Sequence, residues 1–208
     1  GLAKFTPIHQ NILMPMWEQD AWKKEKKFFS LFLSITKFTH DLMRSNRLNS
    51  IQLDFPISFS ETFKLNYRSK TIVHNAGSFG VNHRKGTPEA IKIFQQSGLA
   101  ELGYTLRITF WGELKEELVN LIQHNSNGIS LERNFYLNWE DIYADSLFAL
   151  YPSRVEGHPL PLVQSSTLGI INFATNSKPI NEFVIKNELM LPVGFIRDNR
   201  SYVNVEES

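Results

Sequence analysis

The stretch "YPSRVEGHPLPLVQ", residues 151–164, decides how this chain is read. The apolar run 146–151 ends at the turn Pro152-Ser153, a carboxylate and a glycine follow at Glu156 and Gly157, and apolar residues then resume at helical spacing. A strand, a polar turn and a helix in succession form one unit of a parallel sheet, and such sheets bind ligands beyond the carboxyl ends of their strands. Gly157 lets the backbone approach a ligand closely. The amides opening the helix near 160 suit an anion. Pro159 and Pro161 contribute none, which leaves His158, Leu160 and Leu162 as donors. Glu156 and Gln164 stand eight residues apart. Directed at one rim, a carboxylate and an amide each bind paired hydroxyls of a sugar. Taken singly, Glu156 reads as a charge complementing a helix dipole and Gln164 as a solvent-facing helix residue.

Outward from this stretch, strand and helix patterns alternate. Strands are expected at 71–77, 104–112, 128–135, 147–153, 170–175 and 188–193, with helices at 87–97, 113–125, 138–146, 160–169 and 178–185. "TPEAIKIFQQS" (87–97) opens with Thr87 as expected N-cap and Pro88 at the first helical position. Such alternation requires parallel pairing with right-handed crossovers. The expected fold is α/β: a Rossmann-like, doubly wound parallel sheet over 71–208, with a partial second α/β segment over 1–58 and a linker over 59–70. In the first segment "LFLSIT" (31–36) reads as a strand buried on both faces, "KFTHDLMRSN" (37–46) as a short helix and "SIQLDFPI" (50–57) as a strand stopped by Pro56. The basic cluster "WKKEKK" (22–27) reads as a solvated face.

A net charge of +1 supplies no field to draw the chain to nucleic acid. With no cysteine, disulfides, thiolate nucleophiles and Cys-ligated zinc are excluded. The six histidines show no metal-ligand spacing. No apolar run approaches the ~20 residues of a membrane-spanning helix, and "GLAKFTPIHQ" (1–10) lacks a signal-peptide pattern. His74 lies on a strand and reads as a hydrogen-bonded core residue, while His83 and His158 lie on the rim.

The order Pro152, Ser153, Glu156, Gly157, Gly169, Thr175, Pro179, Glu182 resembles the nucleotide-sugar-binding half of the retaining GT-B glycosyltransferases, the "glycosyl transferases group 1" superfamily. "GSFGVNHRKG" (77–86) is similar to that family's strand-end loop, "TFWGE" (109–113) to its next strand, and "WEDIYADSLFALYPS" (139–153) to the helix and strand leading to the rim. The resemblance covers roughly 70–195, and more weakly the end of the acceptor-side domain upstream. It implies that Glu156 contacts donor-sugar hydroxyls and that the amides of Gly157, His158 and Leu160 lie by the sugar and diphosphate. It further implies that Lys85, with Arg84, neutralises the leaving group. Gln164 stands where the family has a ribose-binding Glu, the base lies around Asn134 and Phe135, and Ser78 and Phe79 occupy the place of a phosphate-binding Arg.

The implied activity is transfer of a sugar from a nucleotide-sugar to a carbohydrate or lipid-linked acceptor with retention of configuration. Glu156 and Lys85 are the catalytic candidates, no cofactor or metal is implied, and the setting is cytoplasmic with peripheral membrane contact where the acceptor is lipid-linked. The replacements at Gln164 and at 78–79 leave open a second reading, a catalytically silent nucleotide-sugar-binding or partner-binding module. A dinucleotide-dependent oxidoreductase is disfavoured, because Gly77 and Gly80 do not have the G-x-G-x-x-G spacing.

Overall fold

The structure, a computed structural model, describes residues 11–17, 21–58, 61–78, 83–114, 116–123, 127–184 and 190–191. Nine strands and five α-helices are found among them, in two parallel sheets. The first sheet holds β1 (Ile12–Leu13), β2 (Leu31–Ser34) and β3 (Ser50–Gln52) in that order. The second holds β4 (Thr71–Ser78), β5 (Thr105–Trp111), β6 (Ile129–Arg133), β7 (Phe148–Tyr151), β8 (Ile171–Thr175) and β9 (Met190–Leu191). Its spatial order is β6-β5-β4-β7-β8-β9. The chain starts in the middle, winds to one side, returns, and winds to the other. The order therefore reverses between β4 and β7, and a crevice opens at their carboxyl ends.

The helices are α1 (Ala21–Glu25), α2 (Lys37–Ser45), α3 (Thr87–Gln96), α4 (Glu116–Gln123) and α5 (Leu160–Thr167). On one side of the large sheet α3 and α4 bury Ile91, Phe94, Leu118 and Ile122 against Ile72, Leu106 and Ile108. Around α5, Leu162 and Leu168 pack with Val73, Tyr143, Ala149, Ile170 and Ile180. Each fully buried Val, Leu, Ile or Phe side chain among these contributes roughly 1.5–3 kcal/mol. The small sheet has its own cluster, Trp22, Phe32 and Met43.

Several expectations are corrected. Phe32 and Ser34 are buried while Leu31 and Leu33 are half-exposed, so β2 is covered on one face only. β3 stops at Gln52 rather than 57, because it pairs only with β2 and its partner ends at Ser34. Where α-helices are expected over 138–146 and 178–185, the described residues form 3-10 turns, Trp139–Tyr143 and Ile180–Glu182; 185 lies outside the described residues. Thr87 is not the N-cap of α3: Gly86 holds that place in a left-handed conformation (φ 71°), and Thr87 lies inside the first turn. Of the strand expected over 188–193, Met190 and Leu191 are seen; 188–189 and 192–193 lie outside the described residues. Phe79 and Gly80 also lie outside them. Among the described residues no helix is long and apolar enough to cross a membrane.

Candidate functional site

The site is built by two loops that leave adjacent strands at the order reversal. β4 ends in a bulge between Asn75 and Gly77, where the Asn75 side chain accepts the Gly77 amide at 2.9 Å. The chain returns through the turn 83–86 into α3. β7 ends at Tyr151, and residues 152–159 lead into α5. The two loops are zipped along their backbones: the Arg154 amide donates to the Arg84 carbonyl at 2.9 Å. A Cβ at Gly86 would lie 2.0 Å from the Pro152 carbonyl oxygen, so only glycine allows this approach.

That approach brings Arg84 and Lys85 onto Glu156. Lys85 Nζ lies 2.6 Å from Glu156 Oε1, and Arg84 Nη1 lies 3.0 Å from Oε2. Arg84 Nη1 also donates to the Val155 carbonyl at 3.3 Å. The Glu156 side chain is only 6% exposed and that of Lys85 12%, so both charges are largely out of water. A buried carboxylate between two cations is strongly held in this low-dielectric setting. A pocket beside it is lined by Asn75, Lys85, Tyr151, Ser153, Glu156 and Pro159.

The amides at the start of α5 are less available than expected. The Leu160 N–H donates to the His158 carbonyl at 2.8 Å and the Leu162 N–H to the Pro159 carbonyl at 2.9 Å. Both are turned into the chain because the two prolines force a tight, non-helical entry. No acceptor among the described residues takes the amides of Gly157 or His158. The His158 ring is wedged against Phe55 and Phe183, with centroid separations of 5.2 and 5.4 Å. Burial lowers its pKa against a smaller opposing pull from Glu156. Gln164 is half-buried on α5.

Asn134 and Phe135 lie at the carboxyl end of β6, three strands from β7, or about 14 Å at the usual strand spacing. Both are exposed. Phe135 is joined there by Trp111 at the end of β5, 45% exposed, with ring centroids 5.5 Å apart. The two rings, tilted 59° to each other, are exposed on the same rim as Glu156. The sequence reading passed over Trp111, whose place at a strand end beside "GE" was the available signal. It also passed over Trp17, whose indole N–H donates to the Glu156 carbonyl at 2.7 Å. Among the described residues no group of three or more His, Asp or Glu side chains gathers in metal-holding geometry.

No family model matches the chain, and no curated protein sequence matches it. Solved structures do. The pneumococcal O-GlcNAc transferase GtfA, in complex with UDP and GlcNAc, superposes with a TM-score of 0.67 at 13% identity, over 85% of this chain and 37% of that one. TarM gives 0.67 at 13% identity, over 81% and 34%. The catalytic domain of starch synthase IV from Arabidopsis thaliana, bound to ADP and acarbose, gives 0.56 at 14% identity, over 77% and 42%. The chain thus spans 34–42% of the length of these structures. It has the GT-B glycosyltransferase fold and corresponds to the C-terminal half.

Proposed function

On this GT-B fold, we propose that the crevice between β4 and β7 binds the diphosphate and sugar of a nucleotide-sugar, and that the chain is the donor-side part of a retaining glycosyltransferase. The observation that carries the reading is the placement of Lys85 and Arg84 on Glu156 at the point where strand order reverses. With no donor present the carboxylate occupies the two cations. An entering diphosphate competes for them, which frees Glu156 to accept hydroxyls of the sugar. When the bond from the anomeric carbon to the phosphate oxygen breaks, the electron pair stays on that oxygen. Lys85 and Arg84 then stabilise the charge that develops there. The amides of Gly157 and His158, which have no acceptor among the described residues, add donors on the same side. The exposed pair Trp111 and Phe135 offers the nucleobase a stacking surface, with Asn134 beside it.

In this reading two side-chain cations do the work of a divalent ion, so transfer proceeds in the presence of a chelator. The acceptor is a carbohydrate or lipid-linked chain, and the setting is cytoplasmic. A second reading, a silent nucleotide-sugar-binding module, is favoured by Gln164, which accepts ribose hydroxyls without the charge a carboxylate brings, and by the inward-turned amides of Leu160 and Leu162.

Calorimetry with UDP and with ADP tests the site. The expected result is saturable binding by the natural protein, weakened roughly tenfold or more by Lys85→Ala. The fold persists in that variant because Glu156 keeps Arg84. Absence of binding by the unaltered protein, or equal affinity in the variant, removes the proposal. Donor hydrolysis with chelator present separates the enzyme from the silent module.

A further inference from the structure

We propose that a two-point clasp between the sheets positions the Glu156 turn, and that Trp17 is a positioning residue of the donor site. The proposal rests on the donor-site reading above. The first point is the Trp17 indole N–H on the Glu156 main-chain carbonyl, 2.7 Å, between residues 139 apart in sequence. The second is the Glu182 carboxylate, which follows β8 and takes two amides at the start of α2: Lys37 N to Oε2 at 2.9 Å and Phe38 N to Oε1 at 2.8 Å. α2 already caps itself, since Thr36 Oγ1 accepts the Thr39 amide at 3.0 Å. Glu182 therefore accepts from two orphan donors that the helix's own cap leaves unmet, and sets a negative charge at the positive end of the dipole.

The two points are joined. The Trp17 and Phe38 rings meet edge to face, with centroids 5.0 Å apart and planes at 82°. Phe38 is thus held by Glu182 through its amide and holds Trp17 through its ring. The small sheet is pinned to the loops after β7 and after β8, both on the carboxyl rim where the crevice opens. The turn at 155–158 has no regular structure of its own. Its geometry is fixed on one side by Arg84 and Lys85 through the carboxylate, and on the other by Trp17 through the carbonyl. Among the described residues, a diphosphate that draws the cations away leaves the Trp17 hydrogen bond as the hold on Glu156 from across the sheets. The clasp therefore matters most when the site is loaded, and it acts on the residue facing the sugar rather than on the phosphates.

Amide exchange and kinetics on the full natural protein test this with two variants. Trp17→Phe keeps a ring against Phe38 and removes the N–H. Glu182→Ala removes the carboxylate at a partly exposed site. The expected exchange result is faster exchange of the Leu160 amide, bonded to the His158 carbonyl, in the first variant and of the Lys37 and Phe38 amides in the second, by roughly tenfold. Affinity for UDP in Trp17→Phe stays within about twofold, while turnover of the nucleotide-sugar falls roughly five- to tenfold. A purely structural role would lower both together. Unchanged exchange at Leu160 in Trp17→Phe, or at Lys37 and Phe38 in Glu182→Ala, overturns the clasp. Changed exchange with unaltered turnover overturns the positioning role. If the unaltered protein binds no nucleoside diphosphate, the donor-site reading and the positioning role fail, and exchange alone then decides the clasp.

Discussion

His74 shows how a single side chain holds the site's two strands to the helix that follows. It is fully buried on β4, with Nδ1 2.8 Å from the Leu150 carbonyl on β7 and Nε2 2.9 Å from Thr87 Oγ1 on α3. A carbonyl only accepts, so Nδ1 carries the proton and Nε2 accepts from the threonine hydroxyl. The ring is neutral, and burial lowers its pKa to about 4, with Lys85 adding to the fall. The unfolded chain, at about 6.5, binds the proton more readily. The stabilising contribution is therefore complete above pH 6.5, declines as pH falls from 6.5 to about 4, and changes no further below that. Its size is on the order of 3 kcal/mol. Urea unfolding at pH 7 and pH 4.5 should show this decline in the natural protein and a smaller one in His74→Gln. His158, also lowered by burial, tilts both proteins the same way, so the difference isolates His74. Equal declines would remove the assignment. At this scale the sequence was legible in part. A histidine within an apolar strand reads correctly as a core residue. Thr87 misled because its hydroxyl serves His74 instead of a helix amide, and no local pattern records a partner 13 residues away. The Glu156 ion pairs span 71 and 72 residues and were equally invisible, although the rim position of all three residues was not.

Among the elements, α5 carries the rim loop and is anchored from below by a buried polar cluster. Tyr151 Oη donates to the Pro161 carbonyl at 3.0 Å and lies 3.1 Å from Ser165 Oγ; Tyr143 Oη reaches the same carbonyl at 2.8 Å. The Pro161 carbonyl and Ser165 both belong to α5, so the helix is pinned near its first turn, where the loop from Glu156 enters. Tyr151→Phe is expected to lower stability by about 1 kcal/mol, because it removes the hydrogen bonds to the Pro161 carbonyl and to Ser165 while Tyr143 still meets that carbonyl. It should also loosen binding of nucleoside diphosphate, as the amides of 157 and 158 lose their fixed bearing. Denaturation midpoints and calorimetry check the two effects. A variant that loses stability but keeps full affinity would show α5 to be held by packing alone. The elements themselves were mostly legible, since the long strands alternate and the helices carry apolar stripes. β1 was not: Ile12 and Leu13 are two residues with no period to read, and they become a strand only by pairing with Leu31 and Phe32. The 3-10 turns at 139–143 and 180–182 carry helical composition, but they are too short to hold α-helical hydrogen bonds against the loops on either side.

At the scale of the whole molecule, the two sheets differ in how far they can stand alone. The large sheet is flanked by separate apolar clusters on α3–α4 and around α5. The small sheet buries Trp22, Phe32 and Met43 beneath its helices but leaves Ile12 and Ile51 54% and 47% exposed, with Met14 and Leu53 nearby at 46% and 44%. Parallel sheets are normally covered on both faces, because their strands are apolar on both. A segment below about 60 residues with one bare apolar face lacks the burial to offset its chain entropy. Residues 59–208 alone are therefore expected to unfold in one cooperative transition close to that of the whole chain, while 1–58 alone should show none and bind a hydrophobic dye. Circular dichroism melts of both pieces decide it. Cooperative melting of 1–58 would show that its stability does not depend on the larger sheet, and collapse of 59–208 would show the converse. That second result would mean that the contacts joining the two segments, Trp17 to Glu156, Glu182 to α2 and Phe55 against His158 among them, carry far more of the folding free energy than contacts of their kind ordinarily do.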